Sequence, residues 1–278
     1  SVWVQDPQRG SVISFGGMRF ADPQDIEGSA KVVLHAYGKG VNYFDTAPGY
    51  CADKSEEIMG AAFRQMKPGT FYSSTKCMAS GGDDLRASLE RSLKRMGLER
   101  ITFFHIWCLV KPDQWQQRKD GGAVAALLKA RDEGLVEHVV VSSHLPGEQI
   151  SAVLADGCFE GVTLGYCAMN FPFREHAVNT AAAMGLGVVT MNPLGGGLIP
   201  RFPDRFDFLR GESDDSVVAA ALRFNISQPA VTSALVGFTT TEHVDQACAA
   251  VDGFTPYSAE HVQAMRERIV AQFDGFCT

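Results

Sequence analysis

The sequence predicts an α/β fold, a single-domain (β/α)8 barrel of the TIM type spanning residues 1–278, with an extra helix near its C-terminal end. Three observations predict it. Eight short apolar runs rich in Val, Ile and Phe recur along the chain, each followed by a longer segment with helical spacing, which is the alternation of successive βα units. These units fit into roughly 250 residues with no Pro- or Ser-rich linker, which favours one closed barrel over a doubly wound sheet or two domains. The turn after the first run, Phe15-Gly16-Gly17-Met18-Arg19-Phe20, lacks the G-x-G-x-x-G spacing of a Rossmann dinucleotide site.

The strands are read, in order, at 12–15, 42–45, 70–75, 101–106, 138–142, 162–166, 187–191 and 234–237, each an apolar run suited to burial on both faces. Helices are read at 25–39, 55–66, 83–96, 123–133, 147–156, 175–184, 214–224 and 241–250, with the additional amphipathic helix at 258–273. Ser55 and Asp214 are N-cap candidates, and Gly40, Gly97, Gly134, Gly157 and Gly185 stand where a left-handed residue would stop a helix.

Composition narrows the function classes. A chain that is 45% hydrophobic can bury a large core, and a net charge of -7 without any Lys/Arg run leaves no surface for nucleic acid. The apolar runs are too short to span a bilayer, and the N-terminal residues show no charged-then-apolar leader, so the expected location is the cytoplasm. Seven cysteines, an odd set with no C-x-x-C pair, signal neither zinc nor a disulfide framework, and no metal site is expected. Cys51, Cys77, Cys108 and Cys167 fall near strand ends, where a redox-active thiol is the alternative to the commoner role of small buried hydrophobe. The expected partner is a small molecule; the sequence leaves the oligomeric state open.

In a parallel barrel the C-terminal strand ends and the loops after them form the active face. Four residues stand out there: Asp45 ending the second strand, Tyr50 in the following loop, Lys76 after the third strand, and His105 near the end of the fourth. Taken singly, Asp45 reads as a strand-end cap, Lys76 as a solvated charge, His105 as a satisfied core histidine and Tyr50 as a loop aromatic. Together they form a set able to reduce a carbonyl. A phenol titrating near 10 donates a proton poorly at neutral pH unless tuned. A buried Lys76 beside Tyr50, itself held by Asp45, would lower that pKa, and His105 would orient the substrate oxygen as a hydrogen-bond donor.

Asp45-Thr46-Ala47 with Tyr50, Lys76 and His105 resembles the catalytic tetrad of the aldo-keto reductase superfamily. Ser55-Glu56-Glu57-Ile58-Met59-Gly60 resembles the S-E-x-x-L-G helix after the tetrad tyrosine, and Asn192-Pro193-Leu194-Gly195-Gly196-Gly197 resembles the P-L-x-x-G loop after the seventh strand. Helix residues 85–97 agree, and the match runs in order from Phe15 to about Ala250. The resemblance implies nicotinamide-dependent reduction of aldehydes or ketones, with Tyr50 as acid, Asp45 and Lys76 tuning it, and His105 positioning substrate.

The same resemblance implies a cofactor site at Gly17, Met18, Asp45, Ser142, Ser143, Thr163, Met191, Asn192, Pro193, Leu194, Gly237, Thr239 and His243. Ser143 replaces the commoner Asn, Thr163 the commoner Gln, and Met191 an aromatic that would stack on the ring. The loop Gly237-Phe238-Thr239-Thr240-Thr241-Glu242-His243 resembles the adenosine-phosphate site yet carries no Lys or Arg, so NADP is the expected cofactor with NAD as rival. Phe276-Cys277-Thr278 resembles the start of a C-terminal iron–sulfur module found in a subgroup of the superfamily, and such a cluster would need further cysteines beyond Thr278. Two alternatives accompany the reductase: a nicotinamide-binding regulatory subunit, and an electron-transfer enzyme fed by such a module. Trp107, Trp115, Phe171, Phe173, Phe202 and Phe206 are candidates for an aromatic-lined mouth.

Overall fold

The computed structural model describes residues 11–272. The iron–sulfur reading of Cys277 and Thr278, and Phe273 at the end of the last expected helix, lie outside the described residues.

Eight parallel strands close into a barrel in sequence order: β1 (Ile13–Gly16), β2 (Tyr43–Asp45), β3 (Tyr72–Cys77), β4 (Ile101–Leu109), β5 (Val136–Ser143), β6 (Gly161–Gly165), β7 (Gly187–Met191) and β8 (Ser233–Gly237). The helices follow as α1 (Ile26–Gly38), α2 (Tyr50–Asp53), α3 (Ser55–Phe63), α4 (Gly82–Met96), α5 (Asp113–Asp120), α6 (Ala123–Asp132), α7 (Gly147–Leu154), α8 (Phe171–Ala183), α9 (Leu198–Arg201), α10 (Pro203–Phe206), α11 (Val217–Ser227), α12 (Thr241–Val251) and α13 (Ala259–Gln272). The expected barrel and its extra helix are therefore present. Among the described residues, no helix is long and apolar enough to cross a membrane.

Two kinds of core hold the barrel. Between strands and helices the packing is aromatic and aliphatic: Phe15 lies 5.2 Å from Phe238 and 5.8 Å from Phe20, and Phe63 stacks on Phe71 at 4.7 Å. This cluster ties β1 to β2 and to the loop after β8. Inside the barrel, small hydroxyls replace much of the branched aliphatic filling usual for the fold. Ser14, Ser74, Thr163 and Ser233 are all buried. They are satisfied in place, Ser14 bonding Ser233 and Ser233 donating to the Ser11 carbonyl at 2.6 Å, while on the outer face of β7 Thr190 donates to Asn225 of α11 at 3.0 Å.

Local chemistry departs from the sequence reading at several ends. Ser55 does not cap α3, because its hydroxyl donates instead to the Gly17 carbonyl at 2.6 Å and the N-cap is Lys54. Asp214 does not cap α11. Ser216 does so, accepting from the Ala219 N–H, while Asp214 accepts from Arg223 and from the Gly211 N–H, both at 2.7 Å. The five helix-stopping glycines do adopt positive φ, from 66° at Gly97 to 94° at Gly40. Of the six mouth aromatics, Trp115, Phe171 and Phe206 are core residues instead, Trp115 packing on Phe159 at 5.1 Å, because α5, α8 and α10 turn them inward.

Candidate active site

Register brings the candidate residues to one end of the barrel. Asp45 pairs with Ser74 across β2 and β3, Lys76 with His105 across β3 and β4, and Ser142 with Thr163 across β5 and β6. Strand β3 extends one residue past Lys76 and β4 runs on to Leu109, so Lys76 and His105 lie within strands, on rigid backbone, where the sequence reading put Lys76 just beyond a strand.

Asp45 and Lys76 form a buried ion pair, 2% and 3% exposed. The ammonium also donates to the Thr46 carbonyl at 2.7 Å, and Ser74 donates to the free oxygen of Asp45 at 2.7 Å. Burial pulls the Lys76 pKa below the usual lysine range, while Asp45 and Glu56 oppose that pull. Glu56 is buried in turn, accepting from Thr75 at 2.8 Å and lying 3.4 Å from Arg95. Neither Ser74 nor Glu56 was singled out as a candidate; within a Ser-Ser-Thr run and a Glu-Glu pair, only the fold shows which member points inward.

Tyr50 sits on an unusual turn. Gly49, Cys51, Ala52 and Asp53 all have positive φ, a conformation that costs non-glycine residues about 1–3 kcal/mol each. Asp53 clamps the turn, accepting from the Gly49 N–H at 2.9 Å and from Arg95 at 2.8 and 2.6 Å. The Arg95 guanidinium, with the Gly49 amide, holds the Asp53 carboxyl down at about 2. The Tyr50 ring meets Trp107 edge-on at 5.6 Å, and the Lys76 ammonium lies 5.3 Å from the ring centroid.

That arrangement corrects one expectation. The Tyr50 pKa is raised, first by burial and then by Asp45 and Cys108, whereas the sequence reading had Lys76 lower it. The physical reason is that Lys76 spends its hydrogen bonds on Asp45 and the Thr46 carbonyl and shows the phenol ring only its charge. Outside this group, a cleft of about 460 Å³ opens over Pro48, Lys76, Cys77, Met78, Asp84 and Trp107. Phe173 and Phe202 are 40% and 45% exposed.

His105 is 1% exposed, and burial together with the Lys76 charge drops its pKa to about 4. Its Nε2 lies 2.9 Å from the Thr163 hydroxyl, and its Nδ1 lies 3.3 Å from the Thr75 carbonyl and 3.4 Å from the Ser74 hydroxyl.

The residues named for the cofactor divide into two sets. Ser142 accepts from the Cys108 N–H at 3.2 Å and keeps its own proton to give. Ser143 is committed, donating to the Leu109 carbonyl at 3.1 Å and accepting from the Leu145 N–H at 3.0 Å. Met191 is half-buried, Asn192 has φ 59°, and the Pro193–Leu194 turn is tied by the Asn225 side chain, 3.5 Å from the Pro193 carbonyl. Gly17 fits tightly, because a Cβ there would meet Ser55 Oγ at 2.6 Å and Met59 Cε at 2.7 Å; Met18 beside it is 54% exposed.

Thr239, Thr240 and His243 open α12, with Thr240 accepting the His243 N–H at 3.4 Å. The structure supplies here the cation that the loop lacks. The exposed Arg19 lays its stem over Gly237, its Cγ only 2.7 Å from where a Cβ would stand, and among the described residues its guanidinium has no hydrogen-bond or ion-pair partner. Sequence reading missed it because Arg19 and Gly237 are brought together only when β1 pairs with β8, Gly16 opposite Gly237.

Comparison with known proteins agrees with this architecture. The family model described as the aldo/keto reductase family matches residues 12–269. A probable aldo-keto reductase of Glycine max is 27% identical over 207 residues, 67% of this chain and 57% of that protein. The L-galactose dehydrogenase of Arabidopsis thaliana is 24% identical over 272 residues, 87% of this chain and 84% of that protein. A Klebsiella pneumoniae aldo/keto reductase solved with NADP and acetate superposes with a TM-score of 0.78 at 19% identity, covering 94% of this chain and 92% of that one. With a family match across nearly all of the described barrel, the chain belongs to the aldo/keto reductase family of nicotinamide-dependent oxidoreductases.

Proposed function

We propose that this chain reduces aldehydes or ketones with NADPH, with Tyr50 as the proton donor. The observation that carries this reading is the Tyr50 phenol at the barrel mouth, edge-on to Trp107 at 5.6 Å, beside a cleft lined by Lys76 and Trp107 and backed by the buried Asp45–Lys76 pair. NADPH, when bound, supplies the hydride. Tyr50 then gives its proton to the developing alkoxide, a far stronger base than a phenolate even with the raised Tyr50 pKa. The reverse reaction needs Tyr50 ionised, so burial favours reduction over alcohol oxidation near neutral pH. Lys76, paired with Asp45, holds its ammonium 5.3 Å from the ring centroid without bonding the phenol oxygen, so Tyr50 keeps its proton until the alkoxide develops.

The residues present fit the cofactor. Ser142 has a proton to donate to a carboxamide oxygen, the Asn192 turn offers backbone amides, and Arg19 with Thr239 and the start of α12 offers a phosphate contact. The NADP in the Klebsiella relative supports the choice of dinucleotide. The test is loss of reduced-nicotinamide absorbance across a panel of aldehydes. Tyr50→Phe is expected to lower kcat by about 10²- to 10⁴-fold while cofactor binding, followed by fluorescence, is unchanged. Full turnover by that variant would remove Tyr50 as the acid.

A further inference from the structure

The turn that carries Tyr50 is not one the chain would hold by itself. Cys51, Ala52 and Asp53 stand in succession at φ 54°, 53° and 66°, and Gly49, just before Tyr50, at 82°. Residues with a Cβ visit the left-handed region singly, and only Asn or Asp with any ease, so three in a row need a restraint from outside the turn. The Cys51 thiol supplies little of it, lying 3.6 Å from the Gly17 carbonyl. Arg95, in the last turn of α4, supplies more. Both of its terminal nitrogens donate to Asp53, at 2.8 and 2.6 Å, in the planar fork that fixes a carboxylate in direction as well as distance. Asp53 then accepts from the Gly49 N–H at 2.9 Å and closes the turn around Tyr50.

The same guanidinium faces β3. Arg95 Nη1 lies 3.4 Å from Oε2 of the buried Glu56, whose other oxygen accepts from Thr75, the residue before Lys76, at 2.8 Å. The Arg95 backbone is fixed as well, because α4 presses so closely on α3 that a Cβ on Gly60 would run into the Arg95 carbonyl. We propose that Arg95 is a positioning residue for proton transfer: through Asp53 it locks the left-handed turn, and through Glu56 it ties that turn to the Lys76 strand. One side chain thus joins the two segments whose register keeps the Tyr50 ring 5.3 Å from the Lys76 ammonium. The effect on turnover rests on the reading of Tyr50 as proton donor, whereas the clamp on the turn does not.

The test replaces Arg95 with Met and reads the turn and the chemistry separately. Cys51 reports the turn: its labelling by a nitrobenzoate disulfide, identified by its loss in Cys51→Ser, is expected to quicken about tenfold in Arg95→Met. For aldehyde reduction kcat is expected to fall about 10- to 100-fold, while NADPH binding by fluorescence titration stays within about twofold of wild type. Adding Ala52→Gly to Arg95→Met removes the steric cost of one left-handed residue and is expected to recover much of both changes. Unchanged Cys51 labelling overturns the proposal, and so does a loss of kcat that Ala52→Gly does not recover, which would place the damage in α4. If Arg95→Met fails to fold, Asp53→Asn at the more exposed end of the pair removes the charge and is read in the same way. Faster labelling with unchanged kcat leaves the clamp standing and sinks the reading of Tyr50 as the acid.

Discussion

Replacing Asp45 with Asn isolates what the buried ion pair contributes. The carboxylate serves Lys76 through one oxygen and Ser74 through the other, so after Asp45→Asn one of these donors faces an amide NH2 instead of an acceptor. Removing one partner of a buried pair costs ~3–5 kcal/mol, and Glu56, which still attracts the ammonium, places the loss toward the lower end. At about 2–4 °C per kcal/mol for a domain of this size, the thermal midpoint falls by ~6–15 °C near neutral pH. The pH dependence has a definite sign. Lys76 already binds its proton less tightly in the fold than in the unfolded chain, and losing Asp45 deepens that depression. Between the folded pKa and the unfolded value, about 10.4, the unfolded state holds more protons, so stability rises with pH. Calorimetry from pH 7 to 10 should therefore show the gap between variant and wild type narrowing. A gap under about 2 °C that does not change with pH would refute the claim that Asp45 compensates a buried charge.

Two further perturbations probe the cofactor sector. Arg19→Ala should weaken NADPH binding about tenfold and leave NADH binding unchanged, the loss shrinking at high salt; equal losses for both dinucleotides would remove Arg19 from the 2′-phosphate. Gly17→Ala puts a methyl 2.6 Å from Ser55 Oγ and 3.0 Å from the Asp45 carbonyl, and should cost ~1–3 kcal/mol by chemical denaturation, while a neutral result would mean that the β1 turn can retreat from α3.

Alternation of apolar runs with helical spacing was enough to read the barrel, because each strand of a closed parallel barrel is covered on both faces and so carries its burial in its own composition. Three of the four candidate residues could be picked out for a related reason: Asp45, Lys76 and His105 are polar residues at or near the end of an apolar run, although β3 continues past Lys76 and β4 past His105. Periodicity does not show where a hydroxyl points. Ser55 and Asp214 looked like helix caps because their sequence neighbours were right, but both are drawn to stronger partners elsewhere in the chain, Ser55 to the Gly17 carbonyl and Asp214 to Arg223.

By itself the sequence determined the barrel and the alternation of its eight strands with the main helices, but not α2, α5, α9 or α10, and it offered a candidate set of groups for proton transfer. Only the tertiary structure decided how those groups act. Whether Lys76 lowers the Tyr50 pKa depends on how its three protons are shared between Asp45, the Thr46 carbonyl and the ring. Likewise, Arg19 meets Gly237 through strand pairing across 218 positions, and His105 lies between hydroxyls on β3 and β6, those of Ser74 and Thr163. Hydrogen-bond direction and buried charge are set by distances of a few ångströms between segments far apart in the chain, and such distances exist only once the barrel has closed.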